Sequence, residues 1–216
     1  MRTSTSSRRP TKVIRRAQAA FDRGTQALAV EKLHTAFVTH LHSDHTAGYP
    51  DLIFTSWVHG RSRPLEVFGP RGIAAMTQHV LAAWQPDIDI RTKGFENRDP
   101  AGARVNAHEI EPGVVYRDSN VTVTAFPVLH GDVPQAFGYR FDSADRTIII
   151  SGDASPSPAL IANCQKCDVL IHEVFIDAYR PSRVPNWIEY RSKFHTTAAQ
   201  LAEIARVTQP KLLVLW

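Results

Sequence analysis

The residues best suited to chemistry crowd into one short run, Thr39-His40-Leu41-His42-Ser43-Asp44-His45-Thr46-Ala47-Gly48. Four side chains able to ligate a metal, His40, His42, Asp44 and His45, sit there within six positions. The apolar run before them predicts a strand, and Gly48 marks a turn toward a helix. Along an extended backbone alternate residues point the same way, so His40 and His42 can grip one ion while Asp44 and His45, past the turn, face a second. Imidazole nitrogen and carboxylate oxygen, with no thiolate nearby, suit zinc, with manganese and iron as alternatives. A lone histidine is usually an ordinary polar residue. Three of the chain's ten histidines beside one aspartate in this spacing are a far more specific signal.

Such a loop needs a sheet to hold it. Strand-like runs recur at 36–39, 65–68, 121–126, 147–150, 169–171 and 212–215, and helical periodicity predicts helices over 12–21, 72–84 and 197–207. The last helix opens with Thr197 and Gln200 at capping-box spacing. The class is mixed α/β, with sheets buried by helices on their outer faces. The polar stretch 95–118 holds Pro100, Gly102, Pro112 and Gly113, and reads as loops and an edge hairpin with short strands near Val105 and Val114.

With 216 residues, 43% of them hydrophobic, the chain suits a single domain over 1–216. Its net charge of +4 owes much to Arg2, Arg8, Arg9, Lys12, Arg15 and Arg16, so the excess points to a solvated terminus, with 1–11 disordered, more than to nucleic acid. No apolar run approaches the ~20 residues of a membrane span or follows the basic start as a signal peptide would, and a soluble, cytoplasmic chain is expected. Cys164 and Cys167 cannot form a disulfide framework and read as ordinary thiols.

The HxHxDH run, then Phe126-Pro127-Val128-Leu129-His130-Gly131, then Ile150-Ser151-Gly152-Asp153 resemble, in order, motifs of the metallo-β-lactamase superfamily. The resemblance implies an αββα sandwich and a site for two zinc ions. His40, His42 and His130 would hold one ion, and Asp44, His45 and Asp153 the other, with Asp153 bridging both. Leu170-Ile171-His172-Glu173-Val174 and Phe194-His195-Thr196-Thr197-Ala198-Ala199 look like the HEAT-type and HST-type motifs of the branch that contains RNase Z, related phosphodiesterases and arylsulfatase-like hydrolases. That likeness implies a leaving-group role for His195, an orienting role for Glu173, and Asp44 as the group that orients the attacking water. A zinc ion would lower the pKa of water it binds from about 15.7 toward about 7.

Two departures bear on substrate and completeness. The tRNA-gripping arm that many RNase Z members insert between the third-motif histidine and the bridging aspartate has no room between His130 and Asp153. A small ester or phosphodiester is therefore the expected partner rather than tRNA, without a membrane, and a homodimer is compatible. The strand 211–216 stops where the family places a last histidine, and little precedes HxHxDH, so the fold is expected to be truncated at both ends: either the chain is a fragment or the second metal site is incomplete. Phosphodiester hydrolysis is the favoured activity; a lactonase, an arylsulfatase, or a catalytically weak metal- or nucleic-acid-binding domain are the alternatives.

Overall fold

Leu65 and Val67 are fully buried and alternate with half-buried Glu66 and Phe68, the two-residue period of a strand with one face in a core. Both belong to a computed structural model that describes residues 13–175 and 186–216. The expected disorder of 1–11 falls outside the described residues. The chain divides into two units, one ending at Glu109 and the other starting at Ile110.

The first unit carries a parallel sheet in the order β1 (Thr35–Phe37), β2 (Leu65–Gly69), β3 (Val105–Glu109). Its helices are α1 (Val13–Phe21), α2 (Ser43–Thr46), α3 (Tyr49–Val58), α4 (Ile73–Ala83) and α5 (Gln85–Lys93). Pro50 lies in the first turn of α3, where its missing N–H costs nothing, and Tyr49, Ile53, Phe54 and Trp57 turn one face of that helix onto Leu65, Val67 and Ile73. Tyr49, Trp57 and Arg61 are thus core residues.

Arg61 is the unusual member of that core. Only 2% exposed, it donates from Nη1 to the carbonyls of Leu33 and Leu52 (both 3.2 Å) and from Nη2 to those of Ile53 (2.7 Å) and Gly102 (2.9 Å). One guanidinium fork therefore ties the start of β1, the helix α3 and the segment before β3. Burial pushes its pKa down to about 10, which still leaves it charged at neutral pH.

The second unit holds a six-stranded sheet in the order β4 (Gly113–Arg117), β5 (Val121–Pro127), β6 (Phe137–Ser143), β7 (Thr147–Ile150), β8 (Val169–His172), β9 (Leu212–Leu215). Pairing is antiparallel from β4 to β7 and parallel from β7 to β9. Helices α6 (Pro158–Asn163), α7 (Trp187–Phe194) and α8 (Ala198–Thr208) accompany it. Leu201 and Ile204 of α8 and Leu160 of α6 pack with Ile149 and Leu170 of the sheet. Both bonds of the expected capping box form at the start of α8.

Two expectations are corrected. Strands do form near Val105 and Val114, but they make no hairpin: β3 pairs in parallel with β2, and β4 pairs with β5 in the other sheet. Sequence adjacency suggested a partner that long-range pairing supplied instead. Cys164 and Cys167 are not free thiols but are bonded to each other, with Cα atoms 5.0 Å apart where the chain leaves α6 toward β8. The helices α5 and α7 lie outside the sequence expectations; α5 has no buried residue and hence no apolar stripe to read. Among the described residues no helix is long and apolar enough to cross a membrane.

Replacing Arg61 with Met keeps much of the volume but strips four carbonyls of their donor. Each buried acceptor left unsatisfied costs about 1–3 kcal/mol, so R61M is expected to lose at least about 3 kcal/mol in urea unfolding; a midpoint shift worth less than about 0.5 kcal/mol would show that the clamp is dispensable.

Candidate metal centre

In the first unit the metal-competent loop leaves β1 through Thr39. The Thr39 hydroxyl lies 3.1 Å from His40 Nδ1, and on the far side of that ring Nε2 lies 3.2 Å from His42 Nδ1. His42 is extended (φ −60°, ψ 143°), and its carbonyl accepts from the amides of His45 and Thr46 and from the Thr46 hydroxyl, which starts α2 at once. That abrupt turn swings Asp44 and His45 out of the strand's line. The His45 ring centroid stands 4.3 Å from that of His40, while Asp44, its side chain 76% exposed, has Oδ2 3.7 Å from His45 Nε2. A cavity of about 360 Å³ in this unit reaches Thr39, His45 and Tyr49.

In the second unit, register puts three strand ends on one rim. Pro127 at the end of β5 pairs with Phe137, Ile150 at the end of β7 pairs with Tyr139, and Ile171 pairs with Ile150. His130, Asp153 and Glu173 follow those ends. His130, 2% exposed, donates from Nδ1 to the Phe194 carbonyl at 2.8 Å, and the Gly131 amide donates to the Lys193 carbonyl at 2.9 Å. Carbonyls in the last turn of a helix have no partner within it, and they carry the negative end of its dipole. They fix the imidazole proton on Nδ1 and leave Nε2 as the nitrogen that could ligate a metal, the usual way an outer shell sets a histidine tautomer.

Asp153 is 8% exposed and is followed by Ser155, whose amide donates to the Leu129 carbonyl at 2.8 Å, so the His130 and Asp153 loops are tied together. His195 begins where α7 ends. Its Nδ1 lies 2.9 Å and 3.0 Å from the two Glu173 oxygens and 3.9 Å from Asp153 Oδ2. The carboxylate draws the proton to Nδ1 and leaves Nε2 on the opposite side of the ring. Neighbouring His172 is buried, which holds its pKa down, and its Nδ1 faces the Glu173 carbonyl at 2.6 Å.

Each residue expected at the site is among those described: His40, His42, His45 and Asp44 lie together in the first unit, and His130, Asp153, Glu173 and His195 in the second. His40, His42 and His45 in the first unit, and His130 and Asp153 in the second, are all side chains that could ligate a metal ion. The donor types suit zinc: imidazole nitrogens as close as 3.2 Å in the first unit, and in the second a carboxylate only 8% exposed. Sequence inspection missed the Lys193 and Phe194 carbonyls, which carry no residue-type signal. It also passed over Thr196, inside the quoted HTT run.

Residues 6–216 match the Beta-lactamase superfamily domain, and the chain belongs to that family. Its relatives include ribonuclease Z of Mycobacterium sp. (strain KMS), 31% identical over 194 residues that cover 87% of this chain and 66% of the relative. Ribonuclease BN of Cronobacter sakazakii is 26% identical over 85% of the chain and 70% of its own length. The chain thus spans about two thirds of the mycobacterial relative. Among solved structures, human tRNase Z (short form) superposes with a TM-score of 0.65 at 22% identity, over 92% of this chain and 76% of that one. The metallo-β-lactamase fold protein YhfI from Bacillus subtilis gives 0.63 at 18%, over 91% and 69%. The fold is accordingly that of the metallo-β-lactamase proteins.

Gly131 has φ +53°, and a Cβ there would come within 2.0–2.3 Å of the Phe194 ring. G131A is expected to cost at least the ~1–3 kcal/mol of a left-handed non-glycine residue and, by displacing His130, to weaken any metal binding that uses it. Unchanged thermal stability and zinc affinity would show that the loop adapts freely.

Proposed function

We propose that this chain is a zinc-dependent hydrolase that cleaves a phosphodiester or similar ester, with the two units forming one catalytic domain. The observation that carries the reading is the buried His195–Glu173 pair beside Asp153, a proton donor with its orienting carboxylate next to a metal-competent one. The names of the relatives, ribonuclease Z and ribonuclease BN, support a phosphodiester over other esters. A small phosphodiester is the proposed substrate.

In this proposal His40, His42 and His130 would hold one zinc ion, and Asp44, His45 and Asp153 would hold a second. Bound zinc supplies Lewis acidity and acidifies water at neutral pH. Asp44, on the solvent side of its loop, accepts a hydrogen bond from the attacking water and so aims it. As the bond from the attacking oxygen to phosphorus forms, that oxygen gives up a proton to bulk water, and as the ester bond breaks the imidazolium form of His195 delivers its Nε2 proton to the leaving oxygen. Glu173 keeps its hold on Nδ1 and stabilises the imidazolium before transfer; water then restores the proton.

Asp153→Ala is expected to remove zinc and turnover of bis(p-nitrophenyl) phosphate together. His195→Ala should retain zinc and lose about 10²–10⁴-fold in kcat, the span of a positioned acid. Zinc lost from His195→Ala as readily as from Asp153→Ala would make His195 a ligand, and a wild-type chain that holds zinc but turns over no diester would refute the hydrolase reading.

A further inference from the structure

Ala154, fully buried, directly follows Asp153, and its peptide groups are held from two sides. Its N–H donates to Glu173 Oε1 at 3.0 Å, and its carbonyl accepts from the Thr196 hydroxyl at 2.6 Å. Thr196 is itself fully buried and directly follows His195. Its own carbonyl accepts from the Phe175 amide at 3.1 Å, two residues after Glu173. Asp153, His195 and Glu173 therefore sit in one closed circuit of short covalent and hydrogen-bonded links. The circuit passes from Asp153 to Ala154, across to Thr196, along the chain to His195, through Nδ1 to Glu173, and back to the Ala154 amide.

The cap of α8 does not need this hydroxyl. Thr197 and Gln200 supply both capping bonds, so the Thr196 side chain contributes to the Asp153 loop instead. A hydroxyl differs here from any apolar group of the same size because the Ala154 carbonyl, sealed from water, would lose its side-chain donor. We infer that Thr196 is a positioning residue that locks the metal-competent carboxylate of Asp153 to the proton-donating imidazole of His195, so that metal affinity and leaving-group protonation depend on one hydroxyl that touches neither metal nor substrate. Outer-shell partners of metal ligands commonly change affinity or activity by about 10–100-fold when removed.

The turnover arm of this inference rests on the hydrolase reading; the metal arm does not. The test compares wild type with T196V, which is isosteric but lacks the hydroxyl, and T196S, which keeps it. Zinc affinity is measured by competition with a chromophoric chelator, and kcat and KM with bis(p-nitrophenyl) phosphate at saturating zinc. T196V should bind zinc at least ten-fold more weakly and lose at least ten-fold in kcat with KM little changed, while T196S stays within about three-fold of wild type. Thr197→Ala, which removes a helix cap, serves as a stability control that should leave zinc affinity intact. If T196V does not fold, T196A, which removes the same hydroxyl without adding bulk, is read by the same two measurements. Zinc affinity and kcat that match wild type in a folded T196V or T196A, or losses of equal size in T196S, would overturn the inference. Weakened zinc in T196V from a chain with no turnover at all would refute the hydrolase reading and leave the positioning role standing.

Discussion

Glu173 is a carboxylate with 5% of its surface exposed, and a buried charge of this kind survives only when its oxygens find strong donors. It finds them in His195 Nδ1 and the Ala154 amide, from two separate segments of the second unit. Those donors must be where they are for the carboxylate to be tolerated, and the carboxylate must be there for the donors to be placed. The end of β8, the loop after β7 and the junction of α7 with α8 are thereby fixed by one group. The His130 loop joins the same assembly through the terminal carbonyls of α7.

The first unit solves a different problem. His40, His42 and His45 bring three imidazoles within a few ångströms of one another, with His40 and His42 joined ring to ring by a hydrogen bond. Rigidity comes from behind: β2 buries Leu65 and Val67, α3 covers them, and Arg61 fastens the backbone that leads into β1. The loop's metal-competent residues are thus mounted on an apolar core, and Asp44 is left at the solvent edge.

Much of this was legible in the residues. Thr147 to Ile150, Val169 to Ile171 and Leu212 to Leu215 are apolar runs too short for helices and read as strands; the capping-box spacing at Thr197 marked α8 to within a residue. The HxHxDH run and the later motifs pointed to the side chains that gather in each unit. What stayed hidden has a common cause. The pairing of β3 with β2, the carbonyls of Lys193 and Phe194, the Ala154 peptide and the cysteine pair are set by which segments meet in space. Backbone groups are the same in every residue and leave no trace in a residue-type pattern. Thr196 is the intermediate case, a named side chain whose role became visible only with its partner.

The order of the larger sheet has a consequence for how this scaffold can change. The strands β5, β7 and β8 run the same way and deliver His130, Asp153 and Glu173 to one rim, while the turns at 118–121 and 143–146 lie on the other, closed by their own Asp118, Ser143 and Asp145 side chains. Distance along four to seven residues of strand insulates one rim from the other. The far turns are natural places for lineage-specific insertions, fused peptides or surface attachment points, since length added there leaves the spacing of the chemical groups untouched. The near rim has no such slack, and innovation at that end must come by exchanging side chains.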